Sequence, residues 1–414
     1  MKLKLVWAAC LVLTACLPFP EFTEEPPTGS FGPVSSIQEV RVRTFDNIWD
    51  RIEQDYIHYD DANIDWDSLH TEYRDRLEEV TSQDQFIELM ADLESDLPDG
   101  ALAWQSRQER INEDITDSPT YEGIGAFIGF NPEPEAHIVI LSVIEGSPAD
   151  KAGLQAHDSI YSIDGEPILK EEGISAVDRI RGQTGSSVRL TVKSPDESVR
   201  TVNLQRAQLV STVKLVATID PETNIGYILF PPSGYENLVE DIGSSLEDMT
   251  SNRHLQGLVL DLRIAGSARG WPLEDLLTMF ADGIIGEFFD RSSNQVVSIQ
   301  GKDTLSSQSV PLAVLVGENT SGFPEIFAAS LRVSKKALIF GAPTVGAVET
   351  ATGSYLPDGS RLFIESASFR AIDGLDLGNA GLQPDVLIAA DWDQVLPDND
   401  PVMDAAQQAL EESQ

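Results

Sequence analysis

Residues 311–351, PLAVLVGENTSGFPEIFAASLRVSKKALIFGAPTVGAVETA, restrict the fold more than any other stretch of the chain. Leu312–Val316 is an apolar run closed by Gly317, the mark of a buried strand. A Gly/Ser/Pro turn follows over residues 320–324. Ile326, Phe327, Ala329 and Leu331 then form an apolar stripe at helical spacing. Residues 337–340 read as a second strand and 341–346 as a glycine-punctuated loop. Together these make a βαβ unit. In open α/β sheets, sites form in the loops at the carboxyl ends of such strands.

The 414 residues around this unit are enough for two or three domains. There are 68 acidic and 28 basic residues, a formal net charge of −40, which argues against binding nucleic acid or anionic lipid through a general field. The start, MKLKLVWAACLVLTAC, has two lysines and an apolar run too short to span a bilayer, as in a bacterial secretion signal. Its last four residues, Leu13, Thr14, Ala15 and Cys16, resemble the lipobox of bacterial lipoproteins. That resemblance implies cleavage before Cys16, lipidation of Cys16 and attachment to the cell envelope. Leu17 after the cysteine points to the outer membrane of a Gram-negative-like cell, facing the periplasm. The only cysteines are Cys10 and Cys16, so the mature chain would have no thiol for a disulfide, a zinc site or a cysteine nucleophile.

Beyond a signal at 1–16, residues 17–36 are rich in Pro, Gly and Glu and read as a flexible tether. The region 37–119 reads as helical. Val42, Phe45, Ile48, Trp49 and Ile52 recur at one-face spacing, and Ser82 with Gln85 makes a capping box. The acidic stretch 55–67 with His58 lacks regular ligand spacing and reads as a solvated loop, so no metal and no cofactor is expected.

Residues 120–208 change period. Gly123, Ile124 and Gly125, then EGSPADKAGL, then DSIYSIDG, occur in order and resemble a PDZ domain. Such a domain binds a peptide by adding a strand to a sheet edge, and the glycines let backbone N–H groups hold the terminal carboxylate. Gly123, Ile124 and Gly125 are therefore the candidate peptide-binding residues, with protein C-termini as partners. Residues 209–414 alternate strands and helices as an α/β core, closing on a helix with Met403, Ala406 and Leu410 on one face. The expected fold class is multidomain α+β: a helical N-terminal region, a barrel-like PDZ domain and an α/β peptidase-like core with a mixed sheet.

Taken in order, NIWDRIEQDYI, IDWDSL, the PDZ signature, LVLDLR, ADGIIG, GAPTVG and GLQPDV resemble the carboxyl-terminal processing peptidases, or tail-specific proteases, from about residue 40 to the end. The resemblance implies a periplasmic serine endopeptidase fold that cuts proteins near their C-termini through a Ser–Lys dyad. That chemistry needs a serine nucleophile, a lysine buried enough to be neutral, and backbone N–H groups for the oxyanion. The family's nucleophile lies three residues before a glutamate. Here Glu325 matches that glutamate, so Gly322 takes the nucleophile position. In the second loop Ala347 takes the lysine position and Ala351 that of a supporting glutamine. No gap separates Glu325 from Gly341. The family's glycine-rich oxyanion turn reads Asp261, Leu262, Arg263, Ile264, Ala265, Gly266, Ser267, Ala268, with Ser267 and Ala268 in glycine places.

No catalytic residue is therefore expected, with Ser321 as the fallback nucleophile. None of His58, His70, His137, His157 and His254 lies in the βαβ unit. Lys335 and Lys336 follow its helix on an exposed end. The resulting expectation is a lipid-anchored, catalytically inactive homologue that binds protein C-termini, as adaptor, scaffold or competitor of an active partner peptidase. The alternatives are an active endopeptidase with Ser321 as a displaced nucleophile, and a structural lipoprotein whose PDZ domain binds nothing.

Overall fold

A computed structural model of the chain describes residues 36–115, 120–195, 197–210, 215–251, 253–266, 271–396 and 399–413. Cys16, the signal and most of the tether lie outside the described residues, as do Ser267 and Ala268. The architecture is multidomain α+β, with three N-terminal helices, a PDZ domain and a peptidase-like core of mixed sheet.

The N-terminal helices are α1 (Ile37–Asp55), α2 (Trp66–Glu79) and α3 (Gln83–Asp96). Phe45, Ile48, Trp49 and Ile52 bury the stripe of α1, while Val42 is half-buried. Asp65 caps α2, and Ser82 with Gln85 forms the full capping box on α3. The region is not helical throughout. After α3 the chain makes strand β1 (Ala103–Gln105), then α4 (Arg107–Ile115). The aromatic and aliphatic face of the three helices closes on Leu356, Leu362 and Ile364, more than 250 residues away, because a three-helix stripe this wide needs a further surface to cover it.

The PDZ domain comprises β2 (Thr120–Gly123), β3 (Ala126–Asn131), β4 (His137–Val143), α5 (Pro148–Lys151), β5 (Ser159–Ile163), β6 (Glu166–Pro167), a 3-10 stretch at Lys170–Arg179, β7 (Ser187–Lys193), β8 (Arg200–Gln205) and β9 (Ala207–Val210). Its main sheet runs β3-β4-β5-β7-β8, so β3 is an edge strand, and β2 pairs with β9.

The core follows with β10 (Val216–Ile219), β11 (Ile225–Leu229), α6 (Leu238–Thr250), β12 (Gly257–Asp261), α7 (Leu273–Phe280), β13 (Gly283–Phe289), β14 (Asn294–Ile299), β15 (Leu312–Val316), α8 (Phe323–Lys335), β16 (Leu338–Gly341), β17 (Thr350–Tyr355), β18 (Arg361–Ala371), α9 (Leu377–Ala380), β19 (Val386–Leu387) and α10 (Pro401–Glu412). One sheet runs β10-β11-β12-β15-β16-β19 and is parallel except at β10. The other runs β1-β18-β13-β14, with β17 also on β18. Strands β12 and β15 are buried at every residue, as a parallel sheet covered on both faces requires. Leu258, Leu260, Val314 and Val316 face the α6–α8 side. Val259, Ala313 and Leu315 face Val402, Ala406 and Leu410 of α10, where Met403 is only half-buried.

Helix α8 packs against β15 and β16 on one side and β13 and β18 on the other, so its residues from Pro324 to Leu331 are all buried. It sits where the two sheets meet. Its N-terminus points at the loops expected to carry the site.

Candidate functional site

The turn from β15 into α8 is held by its own polar groups. Thr320 Oγ1 donates to Leu262 O at 2.8 Å and accepts from Gly317 N at 2.9 Å. Ser321 N donates to Ala265 O at 3.1 Å. Gly322 is buried at the N-cap with φ 70° and ψ −130°, a conformation that strains any residue with a Cβ.

Glu325, in the first turn of α8, is fully buried, and its carboxylate joins the two loops. It accepts from Gly322 N at 2.9 Å, Ala347 N at 3.1 Å and Gly346 N at 2.8 Å, and from the Thr344 hydroxyl. Burial raises its pKa above the usual carboxylate value. The donors from Thr344, Gly346, Gly322 and Ala347 oppose that rise without cancelling it. Gly322 and Ala347 thus meet at one carboxylate through their backbones, and neither carries a side chain able to attack or to take a proton. Sequence reasoning used Glu325 only as an alignment mark. Its clamp over two loops 20 residues apart was not visible there.

The second loop is braced from behind. Leu382 N donates to Thr344 Oγ1 at 2.8 Å, and Gly381 packs so closely on Thr344 O that a Cβ would stand 2.3 Å from it. Val345 and Ala347 remain exposed.

Ser321 is half-buried. Among the described residues, its hydroxyl makes no hydrogen bond to lysine or histidine. Lys335 is not free on an exposed end, as its sequence position suggested. Its Nζ donates to Gln308 O at 2.6 Å, about 20 Å along α8 from the turn, and only Lys336 is exposed. The histidines are used elsewhere. His58 lies 3.7 Å from Glu349, and His70 stacks on Phe45. His137 contacts Asp393, His157 contacts the Trp392 carbonyl, and His254 lines a surface hollow beside Pro311. The acidic stretch after α1 is used structurally: Asp60 pairs with Arg291, and Asp65 caps α2.

The described part of the oxyanion segment has a structural task that sequence reasoning missed. Arg263 grips buried Asp261 and reaches Asp400 at 2.6 Å, while Tyr227 OH donates to Asp261 at 2.8 Å. Asp400 in turn caps α10. This network ties the end of β12 to the last helix.

The second candidate is the PDZ edge. A groove of about 620 Å³ runs between β3 and the 3-10 stretch, lined by Gly123, Ile124, Gly125 and Ile128 on one side and Ile174 and Val177 on the other. Ile124 O accepts from Ala149 N at 2.8 Å and Gly125 O from Ile144 N at 2.9 Å. Among the described residues nothing accepts from the N–H of Ile124 or Gly125. Gly125 has φ 86°, and a Cβ there would stand 2.2 Å from Ser147 Cβ, so only glycine fits. The three expected residues thus line an open groove beside an unpaired strand edge.

Comparison with known proteins finds three matching stretches. Residues 224–388 match Peptidase family S41, 139–194 match the PDZ domain, and 39–93 match the Tricorn protease C1 domain. The chain is 26% identical over 372 residues to carboxyl-terminal-processing peptidase 3, chloroplastic, of Arabidopsis thaliana, covering 86% of this chain and 70% of that protein. It is 26% identical over 334 residues to the carboxy-terminal processing protease CtpA of Bacillus subtilis, covering 79% of this chain and 68% of that protein. In fold it is similar to the photosystem II D1 C-terminal processing protease, with a TM-score of 0.65 at 23% identity over 89% of this chain and 97% of that one. The fold is that of a PDZ-bearing peptidase of the S41 type, and over most of its length the chain is similar to the carboxyl-terminal processing peptidases.

Proposed function

We propose that this chain is a catalytically inactive member of its family that binds protein or peptide C-termini through the PDZ groove. The observation that carries this reading is the meeting of Gly322 and Ala347 at the Glu325 carboxylate through backbone N–H groups alone. A serine peptidase needs a hydroxyl and a base at such a point, and losing both removes nearly all covalent catalysis. The groove supports the binding half. β3 offers a free edge, the N–H groups of Ile124 and Gly125 suit a terminal carboxylate, and Ile128, Ile174 and Val177 suit an apolar side chain. The lysines, apolar run and Cys16 at the start of the chain support attachment to the envelope by lipid. An adaptor, scaffold or competitor role beside an active peptidase follows from binding without cleavage.

A second reading, endopeptidase activity through Ser321, has one observation in its favour. The Ser321 hydroxyl lies at the oxyanion turn, where a Cβ on Gly266 would stand 3.3 Å from it. Fluorophosphonate labelling of the purified protein separates the two. We expect no labelling. Labelling that disappears in Ser321→Ala would overturn the inactive reading. Calorimetric titration with a C-terminal peptide library tests the binding half. Free-acid peptides should bind and their amidated forms should not, whereas uniform absence of binding leaves a purely structural lipoprotein.

A further inference from the structure

The PDZ domain rests on the core along a seam that contains two histidines, and the two need opposite protonation states. On the PDZ side the seam uses β4, β5 and the turn between them. On the core side it uses the short turn Trp392–Gln394. His137, at the start of β4, has its Nδ1 2.7 Å from Glu135 O and its Nε2 3.0 Å from Asp393 Oδ2. Both ring nitrogens face oxygen acceptors, so only the doubly protonated, charged ring donates to both. Ser159 donates to the same Asp393 oxygen at 2.8 Å. The His137 and Asp393 side chains are 3% and 10% exposed, so this is a buried ion pair between domains.

His157 behaves differently. Its Nδ1 donates to Trp392 O at 2.6 Å, and its ring lies over the Trp392 ring with centroids 4.2 Å apart. One acceptor is present, which a neutral ring satisfies. Arg263 also lies over Trp392, 5.2 Å from that ring's centre, and its charge disfavours a second cation nearby. His157 holds a left-handed backbone, φ 75°, which a non-glycine residue keeps only where its surroundings demand it.

The seam carries unsatisfied polar atoms: Trp392 Nε1 and Asp393 Oδ1 are both buried with no partner among the described residues, which weakens docking. The seam's apolar part joins Val139 and Leu141 to Ile264, with Phe127, Leu229 and Trp392 at its margin. It also lies against the candidate site. A Cβ on Gly129 of β3 would stand 2.3 Å from Asn319, in the loop that leads to Gly322.

We propose that this seam is a proton-operated latch: it holds the PDZ domain on the core while His137 is charged and His157 neutral, and releases it when either condition fails. The groups facing each ring agree in sign. For His137, burial opposes the charge, but Asp393, the Glu135 carbonyl and Asp391 outweigh it and raise its pKa, with Tyr161 stacked on the ring. Its contribution is complete below the ordinary imidazole value of 6.5 and is lost as pH rises through the elevated one. For His157, burial is the largest effect and lowers its pKa. The Trp392 carbonyl opposes this, Arg263 adds to it, and Asp400 and Asp261 act against it. Its contribution is complete above the ordinary value and fades as pH falls toward the depressed one. Asp393 is held below the usual carboxylate range despite burial, by His137 and Ser159, so it stays charged throughout. Glu318, its pKa raised by burial and by Asp391 and Asp393, lines the same hollow as Trp392 and Asp393. Docking is therefore strongest near the ordinary imidazole value and weaker on both sides.

The test is a distance measurement that needs neither peptide nor catalysis, so it can fail independently of the functional reading. Nitroxide labels go on Gln183→Cys in the PDZ domain and Glu247→Cys in α6, both exposed, in the full chain with Cys10 and Cys16 replaced by Ser. Double electron–electron resonance from about pH 5 to about pH 9 should give one narrow distance near the middle of the range and a broader second population growing toward each end. Asp393→Asn should bring the alkaline release to lower pH, and His157→Asn, whose amide N–H stands in for the Nδ1 donor and cannot ionise, should abolish the acid release. A distribution unchanged by pH would overturn the latch. So would an acid release that persists in His157→Asn, or an alkaline release that Asp393→Asn leaves in place.

Discussion

The loops around Gly322 and Ala347 and the groove along β3 are both built on glycine turns, yet they end in opposite states. At the loops the polar groups are turned inward. Three backbone donors and a hydroxyl converge on Glu325, and Thr320 and Thr344 occupy the neighbouring positions. At the groove the carbonyls of Ile124 and Gly125 are paired, while their N–H groups have no acceptor among the described residues. The first arrangement is a satisfied polar network. The second is an incomplete sheet that a further strand would complete. A backbone network of the first kind holds its loops in place. A binding edge keeps its use only while it stays unpaired.

The largest effect should come from removing the clamp. Glu325→Ala leaves the buried N–H groups of Gly322, Gly346 and Ala347 without an acceptor, and chemical denaturation should record a loss of about 3–5 kcal/mol. If the two regions are independent, peptide affinity under native conditions stays within about twofold. A collapse of affinity would break the contrast. Next comes Gly322→Ser. A side chain at φ 70° should cost about 2 kcal/mol by the same measurement. Pairing it with Ala347→Lys should still give no fluorophosphonate labelling at neutral pH, because position 347 is exposed and a lysine there stays protonated. On the open side, Ile174→Asp changes a residue already 57% exposed. It should weaken peptide binding about tenfold, or about 1.4 kcal/mol, with unfolding unchanged. The smallest effect concerns Glu365 of β18. Burial first, and then Glu349 and Asp99, raise its pKa, with His58 opposing. A raised carboxylate favours folding at low pH and loses that advantage as pH rises through the folded value. Glu365→Gln should therefore add about 0.5 kcal/mol at pH near 7 and nothing at acid pH, read as a pH series of melting temperatures.

Much of the site was readable from local pattern. Gly322 and Ala347 were placed by the uninterrupted run from Glu325 to Gly341, and the structure brings both positions to one carboxylate. Gly123, Ile124 and Gly125 were placed by their order before the rest of the PDZ signature, and they line the groove. The capping box at Ser82 formed because its four residues need nothing from the rest of the chain. β1 escaped notice because three residues have no period, and it is a strand only because β18 pairs with it from far along the chain, Ala103 opposite Phe363 and Gln105 opposite Arg361.

By itself, the sequence determined the βαβ unit with its apolar stripe, the order of the three regions and the presence of Gly322 and Ala347 in the two loops. These depend on residue identity and short-range period. Only the tertiary structure decided that Glu325 would clamp two loops, that Arg263 would tie Asp261 to Asp400, and that His137 and His157 would face one turn of the core with opposite needs. The physical reason is the same in each case. A buried polar group must find partners wherever the packed chain brings them, and those partners are set by burial and distance in space, which no local spacing records.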